Sequence, residues 1–478
     1  MNQLANQRDG LAKELKTEIF EFLSKSTIHG LPNIIISKHL IIKLMWLLLT
    51  ILSSACCTYF IIKGVNEYLQ YNVTTEVRII NEHEITCPTI TICNENFFTT
   101  KKSVDYLRRI IKENNLINLF DDNEFLLNKS INGTEKMNLI TKLIDLGYSY
   151  IRNGQMNDSI TKELSLSIDD MIISCSFAGS SCDLENDFVW FFNYYYGNCY
   201  RFNSKIDQLK KLATPGRYNG LSFEMYVGLP DQLDKLTSQK GILIFINSIN
   251  DYVLSYIQNG IDIPTNQETN ILLRKSVYNQ MAYPYSNCTN DQDILKKIDR
   301  NFYESILKHN FTYTKNDCMD YCYQKHLSFY CKCNDYSSGF FIENYTSCFT
   351  QEQNECLNEF YYKIFTNFSF IEANCLDICP LECVKTQYDP YISSLVYPTN
   401  LIRDLLRDDE SLIKKFSNQT NFVNDLEKNI LKVTIYYDTL SYIKYEESPN
   451  MNFVDLISNI GGTFGLFLGI FFTKKLFY

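Results

Sequence analysis

NIGGTFGLFLG, residues 459–469, places four glycines in one apolar stretch near the end of a 478-residue chain. Glycine costs about 1 kcal/mol against alanine in a helix interior, so a soluble core helix rarely carries four. In a membrane, small residues at four-residue spacing let helix backbones approach closely. The stretch lies within residues 456–473, eighteen positions without a charge, and Lys474 and Lys475 follow. It reads as a membrane-spanning helix. Its glycines suit either an ordinary packed span or helices that converge on something narrower.

A second apolar run, LMWLLLTILSSACCTYFII at 44–62, has 19 residues without a charge, enough to cross about 30 Å of hydrocarbon. It begins too deep in the chain and runs too long for a signal-peptide core. Lys38 and Lys43 flank it, as Lys474 and Lys475 flank the other. Basic residues favour the cytoplasmic side, so both termini are expected inside, in a multi-pass plasma-membrane protein. The expected divisions are a cytosolic arm over 1–40, a first span over 41–62, an extracellular domain over 63–452, a second span over 453–473 and a short cytosolic end over 474–478.

The composition between the spans agrees with that topology. Of 17 cysteines, fifteen fall between Cys87 and Cys383, with no CxxC pair and only five histidines in the chain, so a zinc knot is not expected. Nine N-x-S/T acceptors lie between the two spans, at Asn72, Asn128, Asn132, Asn157, Asn287, Asn310, Asn344, Asn367 and Asn418. Sequons beside a cysteine-rich segment point to an oxidising, extracellular compartment. The net charge of −10, with no basic stripe, argues against nucleic acid as a partner. No nucleophile elbow, HExxH or phosphate-cradling glycine loop is present, so no enzyme, cofactor or metal site is expected. His83, His309 and His326, the three histidines between the spans, read as surface or hydrogen-bonded residues.

The same region mixes strands and helices. TCPTITICN (86–94) and GILIFINSI (241–249) are β-branched runs of strand character, and NILKVTIYYDTLSYIKYEE (429–447) reads as two strands feeding the second span. SVDYLRRIIKENNLINLF (103–120) and LIRDLLRDDESLIKKF (401–416) space their apolar residues at helical period. The fold class is therefore an α+β membrane protein.

Eight blocks, in order, resemble the degenerin/epithelial sodium channel family, which includes acid-sensing and peptide-gated channels. STIHGLPNI carries a His-Gly pair at His29 and Gly30, and TCPTITICN ends in Cys93 and Asn94. CSFAGSSCDLENDFVWFFNYYYGNCYRFN (175–203), GRYNGLSFEM (216–225), YPYSNC (283–288), DCMDYCYQKHLSFYCKC (317–333), CLDICPLEC (375–383) and NIGGTFGLFLG complete the set. The resemblance implies a β-rich palm with a helical finger and a disulfide-rich thumb at about 288–383. It further implies a trimer, homomeric or built with related subunits, around one pore through the lipid bilayer. Sodium ions are the implied cargo, amiloride the blocker, and an extracellular peptide or proton the ligand.

The family's nested ladder would pair Cys288 with Cys383, Cys318 with Cys379, Cys322 with Cys375, Cys331 with Cys356 and Cys333 with Cys348. Cys93–Cys199 and Cys175–Cys182 would complete it, leaving Cys87 unpaired outside the membrane. Such a ladder could serve as a stiff lever, or simply staple a module with a small core. In the second span Asp455, Asn459, Gly462, Leu466 and Gly469 step by four, three, four and three, which keeps them on one helical face. With Ile470 and Phe471 they are the expected pore lining. His29, Gly30, Tyr71, Tyr285 and Ser458 are the residues that the resemblance assigns to gating. Tyr71 and Tyr285 also suit an interfacial aromatic belt.

The chain departs from the family at the filter. Where the family has Gly-x-Ser and then an acidic residue, GIFFTKKLFY places Phe471 and two lysines. A filter needs small polar groups to replace an ion's hydration shell, so poor conduction alone is expected. A non-conducting two-span regulatory subunit or surface receptor is the alternative. Asn72 and Val73 stand where the family's proton-gated members carry a histidine pair, which weakens gating by acid.

Overall fold

The computed structural model describes residues 17–22, 24, 26, 28, 30–116, 133–152, 158–193, 196–249, 251, 260–290, 298–308, 312–335, 338, 340–348, 350–416, 426 and 428–469. It forms two compact units. One takes the described residues up to Glu76, the turn Tyr283–Ser286 and the chain from Glu447 onward; the other takes Val77–Ala282 and Asn287–Glu446.

The first unit opens with a short helix α1 (Gly30–Ile36) and then α2 (Leu40–Leu69), thirty residues and about 45 Å long at 1.5 Å per residue. The helix outlasts the apolar run that ends at Ile62, because Lys63 and Glu67 are good helix formers and sit one turn apart as an ion pair at 3.8 Å. Hydropathy marks a hydrocarbon thickness and not a helix end. Ile41 is 81% exposed and Leu48 66%, so the apolar surface of α2 is outward, as a lipid-facing helix requires.

The second unit begins in β1 (Val73–Asn81). The 86–94 run is split into β2 (Ile85–Thr86) and β3 (Thr89–Asn94), with Pro88 between them, which has no N–H for a ladder. Helices α3 (Lys101–Glu113) and α4 (Gly133–Arg152) then pack Leu107, Ile110 and Leu143 with Leu233 into a separate core. Strands β4 (Ile172–Phe177), β5 (Ser180–Ser181), β6 (Phe188–Asn193), β7 (Gly197–Phe202), β8 (Lys211–Leu212), β9 (Leu221–Tyr226), β10 (Gly241–Asn247), β11 (Ile261–Pro264) and β12 (Gln267–Asn279) follow.

The disulfide-rich segment carries α5 (Arg300–Lys308), α6 (Lys315–Cys331) and α7 (Gln351–Glu359), and returns through β13 (Val384–Val396). The 401–416 run is two helices, α8 (Asn400–Asp408) and α9 (Glu410–Phe416). Asp409 breaks them because its carboxylate accepts from Ser411 N at 2.9 Å and Leu412 N at 3.2 Å, capping α9. A single strand, β14 (Ile430–Pro449), replaces the two read at 429–447 and leads to α10 (Phe453–Leu468).

A wide sheet has the order β13-β12-β14-β9-β4-β5, with β1 on β14; a second has the order β11-β10-β3-β7-β6, and β2 pairs with β8. β12 runs parallel to β14, so both feed toward the same end. Ile92, Phe202 and Ile244 of the second sheet share one core with Phe223, Leu273 and Val433 of the wide sheet.

All seven cysteine pairs named above are closed: Cys93–Cys199, Cys175–Cys182, Cys288–Cys383, Cys318–Cys379, Cys322–Cys375, Cys331–Cys356 and Cys333–Cys348. Cys56, Cys57 and Cys87 are free thiols. Burial pushes the Cys87 thiol up to about 12, so it stays protonated and inert at neutral pH.

Candidate functional site

The site expected from the sequence lies in the first unit, on α10 and the chain around it. Asn452 starts α10 with a reciprocal cap. Its Oδ1 accepts from Asp455 N at 2.9 Å, and its own N donates to Asp455 Oδ2 at 3.1 Å. A carboxylate in the first turn also complements the helix dipole. Asp455 is therefore a cap, whatever else it faces.

Asp455, Asn459, Gly462 and Leu466 are all exposed, and Leu466 is 79% exposed. α10 uses a different side against α2. There Leu456 is buried, the Phe467 ring stacks on Phe60 at 5.6 Å, and Ser53 Oγ donates to Phe467 O. A Cβ added at Gly461, Gly462 or Gly465 would meet nothing within 4 Å. Packing of α10 on α2 thus requires none of these three glycines. Gly469 has another reason to be glycine. It ends the helix at φ +66°, with its N–H on Gly465 O at 3.1 Å, a left-handed position that side chains resist. α10 is about 24 Å long at 1.5 Å per residue, short of a hydrocarbon core of about 30 Å. Among the described residues, α2 alone is long and apolar enough to cross a membrane. Ile470, Phe471 and the rest of the expected second span lie outside the described residues.

Gly30 owes its identity to close approach. A Cβ there would collide with Thr50 Oγ1, which itself donates to Trp46 O at 2.7 Å. α1 is held against α2 at that point. Sequence reading singled out Gly30 through its motif but gave no hint of Thr50, 20 residues on. His29 lies outside the described residues.

Tyr71 and Tyr285 meet edge to face, with centroids 5.5 Å apart and planes at 86°. Tyr71 has φ 51°, an uncommon left-handed conformation for a bulky residue. The chain leaving α2 is also tied to the chain entering α10: Asn450 N donates to Asn72 O at 2.9 Å, and Thr74 Oγ1 to Asn450 Oδ1 at 3.2 Å. Ser458 is exposed on α10.

The remaining candidates are scattered. Asn72, Asn287, Asn344 and Asn367 are exposed, while Asn128, Asn132, Asn157, Asn310 and Asn418 lie outside the described residues. His83 is exposed. His326 packs edge-on against Phe370 at 5.3 Å, and burial holds its pKa below the usual value. His309 is outside the described residues. Among the described residues no three His, Cys, Asp or Glu side chains converge as metal ligands.

The model of the family described as amiloride-sensitive sodium channel matches residues 22–472. The chain belongs to that family, which is not enzymatic. It is 26% identical over 95% of its length to an FMRFamide-activated amiloride-sensitive sodium channel of Cornu aspersum, of which it covers 80%. It is 28% identical over 64% of its length to the epithelial sodium channel subunit beta of Homo sapiens and, at the same identity and share, to subunit gamma of Neoceratodus forsteri. The chain spans about half the length of those two relatives, 46% and 44%.

Proposed function

We propose that this chain is a subunit of a sodium-conducting, amiloride-sensitive channel of the plasma membrane, opened from the extracellular side. In this reading α10 and the residues after it form a second span, and copies or related subunits, three in all, surround one pore. The observation that carries it is the free face of α10. Asp455, Asn459, Gly462 and Leu466 are exposed beside the α2 contact, and an added Cβ at Gly461, Gly462 or Gly465 meets nothing within 4 Å among the described residues. Around an axis, three Asp455 carboxylates would form a negative ring that concentrates cations, with amide and glycine layers below it. The Tyr71–Tyr285 contact and the Asn72–Asn450 bond tie the two helix ends together where an extracellular signal would have to pass. The printed name of the Cornu aspersum relative makes an extracellular peptide the first candidate for that signal.

The test is expression at the cell surface, alone and with subunits like its beta and gamma relatives, while external sodium is replaced. Amiloride-blocked sodium current is expected, with single-channel conductance reduced by Asp455→Asn and further by Asp455→Lys, most at low ionic strength. A chain that reaches the surface and changes sodium current in no combination would overturn the reading.

A further inference from the structure

The chain between Cys356 and Cys375 is tied at both ends to α6, through Cys331 and Cys322. Within it a π-helical turn (Phe360–Phe365) runs into a one-turn helix (Phe368–Ile371). Phe360 and Phe365 turn inward and share the core of the disulfide-rich segment with Cys375. Tyr362 and Phe368 stay outside, at 71% and 65% exposure. Thr366 Oγ1 donates to Tyr362 O at 2.7 Å, and Asn367 N to Ile364 O at 3.1 Å. Asn367 therefore sits little more than one turn beyond Tyr362 and directly before Phe368. One exposed ring is ordinary on a protein surface. Two of them flanking a glycosylation acceptor, on a segment fixed by two disulfides, make a prepared surface.

The acceptor triplet is Asn367-Phe368-Ser369, with Asn367 and Ser369 both exposed. Asn367 Oδ1 accepts from Ser369 N at 3.0 Å, which fixes the carboxamide. Its Nδ2, the atom that takes a sugar, has no hydrogen-bond partner among the described residues. The other described acceptors are more constrained. Asn72 Nδ2 donates to Gln70 Oε1 at 3.0 Å. Beside Asn344, Tyr345 O accepts from Asn334 Nδ2 and Thr346 O from Asn334 N, both at 2.7 Å. Asn287 stands directly before Cys288, which is locked to Cys383.

We propose that Asn367 carries an N-linked glycan whose first sugars lie on the Phe368 and Tyr362 rings, so that the glycan is a working part of this surface. The modification is a group transfer. Nδ2 loses a proton and bonds to C1 of an oligosaccharide, while the bond from C1 to a polyisoprenyl diphosphate carrier breaks and the diphosphate leaves. No oxidant or reductant is consumed. A sugar ring has a face of C–H groups, and laying that face on an aromatic ring takes apolar area of both out of water. The sugar hydroxyls stay hydrated. Seated in this way, the glycan shields the two rings from other proteins and holds the Phe360–Ile371 segment from its outer side, where the disulfides do not reach.

The test is glycopeptide mass spectrometry of the full-length chain purified from animal-cell membranes, joined to amide hydrogen exchange over residues 362–371. Asn367 is expected to be modified. Ser369→Ala keeps Asn367 and its bond to the backbone N of residue 369 but removes the hydroxyl that the acceptor triplet requires, so it should leave Asn367 bare. That loss should speed exchange across the segment. In a chain already carrying Tyr362→Ala and Phe368→Ala, which keep the triplet and its glycan, Ser369→Ala should speed exchange no further. All three positions are exposed. A bare Asn367 in the parent chain would overturn the proposal and leave the rings to a protein partner. A modified Asn367 with equal exchange in the parent and in Ser369→Ala would overturn the seat on the rings. Glycan found at other acceptors in either case would leave the extracellular reading of this domain standing, and the readout needs no current.

Discussion

In the disulfide-rich segment, α6 buries Tyr321, Tyr323 and Leu327 beside Cys318 and Cys322, each locked to a cysteine of the returning chain. Some of its buried polar side chains are paired as well, although Asp317 Oδ1 is not. Ser328 Oγ donates to Asn334 Oδ1 at 2.7 Å, and Asn334 Nδ2 to Tyr345 O at 2.7 Å. In α10, Leu466 and Val454 stand out from the chain at 79% and 69% exposure, and three glycines face open space. One element is finished by its own chain; in the proposed assembly, lipid or other copies would complete the other. Local self-sufficiency suits a rigid transmitting module, and local incompleteness suits a helix whose function exists only in an assembly.

The largest expected effect strikes the finished side. Cys318→Ser with Cys379→Ser should cost about 2–5 kcal/mol, read as a lowered melting temperature and faster proteolysis around 315–379. If the double variant melts with the parent, the covalent ladder is not what makes that module rigid, and the contrast with α10 collapses.

Within the membrane unit the contrast predicts one finished contact. Gly30→Ala would put a Cβ on Thr50, so it should destabilise by about 1–3 kcal/mol through overpacking. Thr50→Ala should restore part of the loss, because it removes the hydroxyl nearest the new methyl. Gly462→Ala, by contrast, should leave the isolated chain's stability nearly unchanged. Equal costs for Gly30→Ala and Gly462→Ala would mean that the open face of α10 is not open.

Buried acid sharpens the comparison by pH. Burial, then the fields of Asp251, Asp320 and Glu382, hold the Asp317 carboxyl well above its usual range, against the opposing bond from Thr314. The folded chain therefore keeps that proton to higher pH than the unfolded chain. Stability from this group is full below the unfolded pKa near 4 and is lost as pH rises through the folded value, by about 1.4 kcal/mol per pH unit in between. Asp317→Asn should flatten that part of the melting-temperature profile between acid and neutral pH. An unchanged slope would show that Asp317 is not the group being titrated.

How much of this was legible follows from what each feature depends on. The exposed face of α10 was readable because helical period is a local property of Asp455, Asn459, Gly462 and Leu466. The end of α10 was less so. Gly469 reads as one more pore glycine, and only its φ shows a helix-ending residue. Pairing of cysteines came through the family resemblance, since spacing alone permits many connectivities. The acidic surroundings of Asp317 were invisible for a simple reason: Asp251, Asp317 and Glu382 are far apart in sequence, and only the fold brings their charges together. The same holds for Thr50 beneath Gly30, and for β14, whose parallel partner β12 lies about 160 residues earlier.

The smallest stability effect concerns the aromatic contact. In a double-mutant cycle, Tyr71→Leu and Tyr285→Leu should show a coupling of about 0.5–1.5 kcal/mol. Strictly additive losses would reduce the pair to two separate interfacial anchors.

The central claim, that the free face of α10 closes on other copies around an axis, is tested most directly by cysteine cross-linking in membranes. In a background with Cys56 and Cys57 replaced by alanine, cysteines would be placed singly at Asn459, Gly462 and Leu466, and at Ile457 on the opposite side of the helix. Mild oxidation should then join chains through 459, 462 and 466 and leave 457 monomeric. Equal cross-linking at all four positions, or cross-linking through 457 alone, would contradict the account.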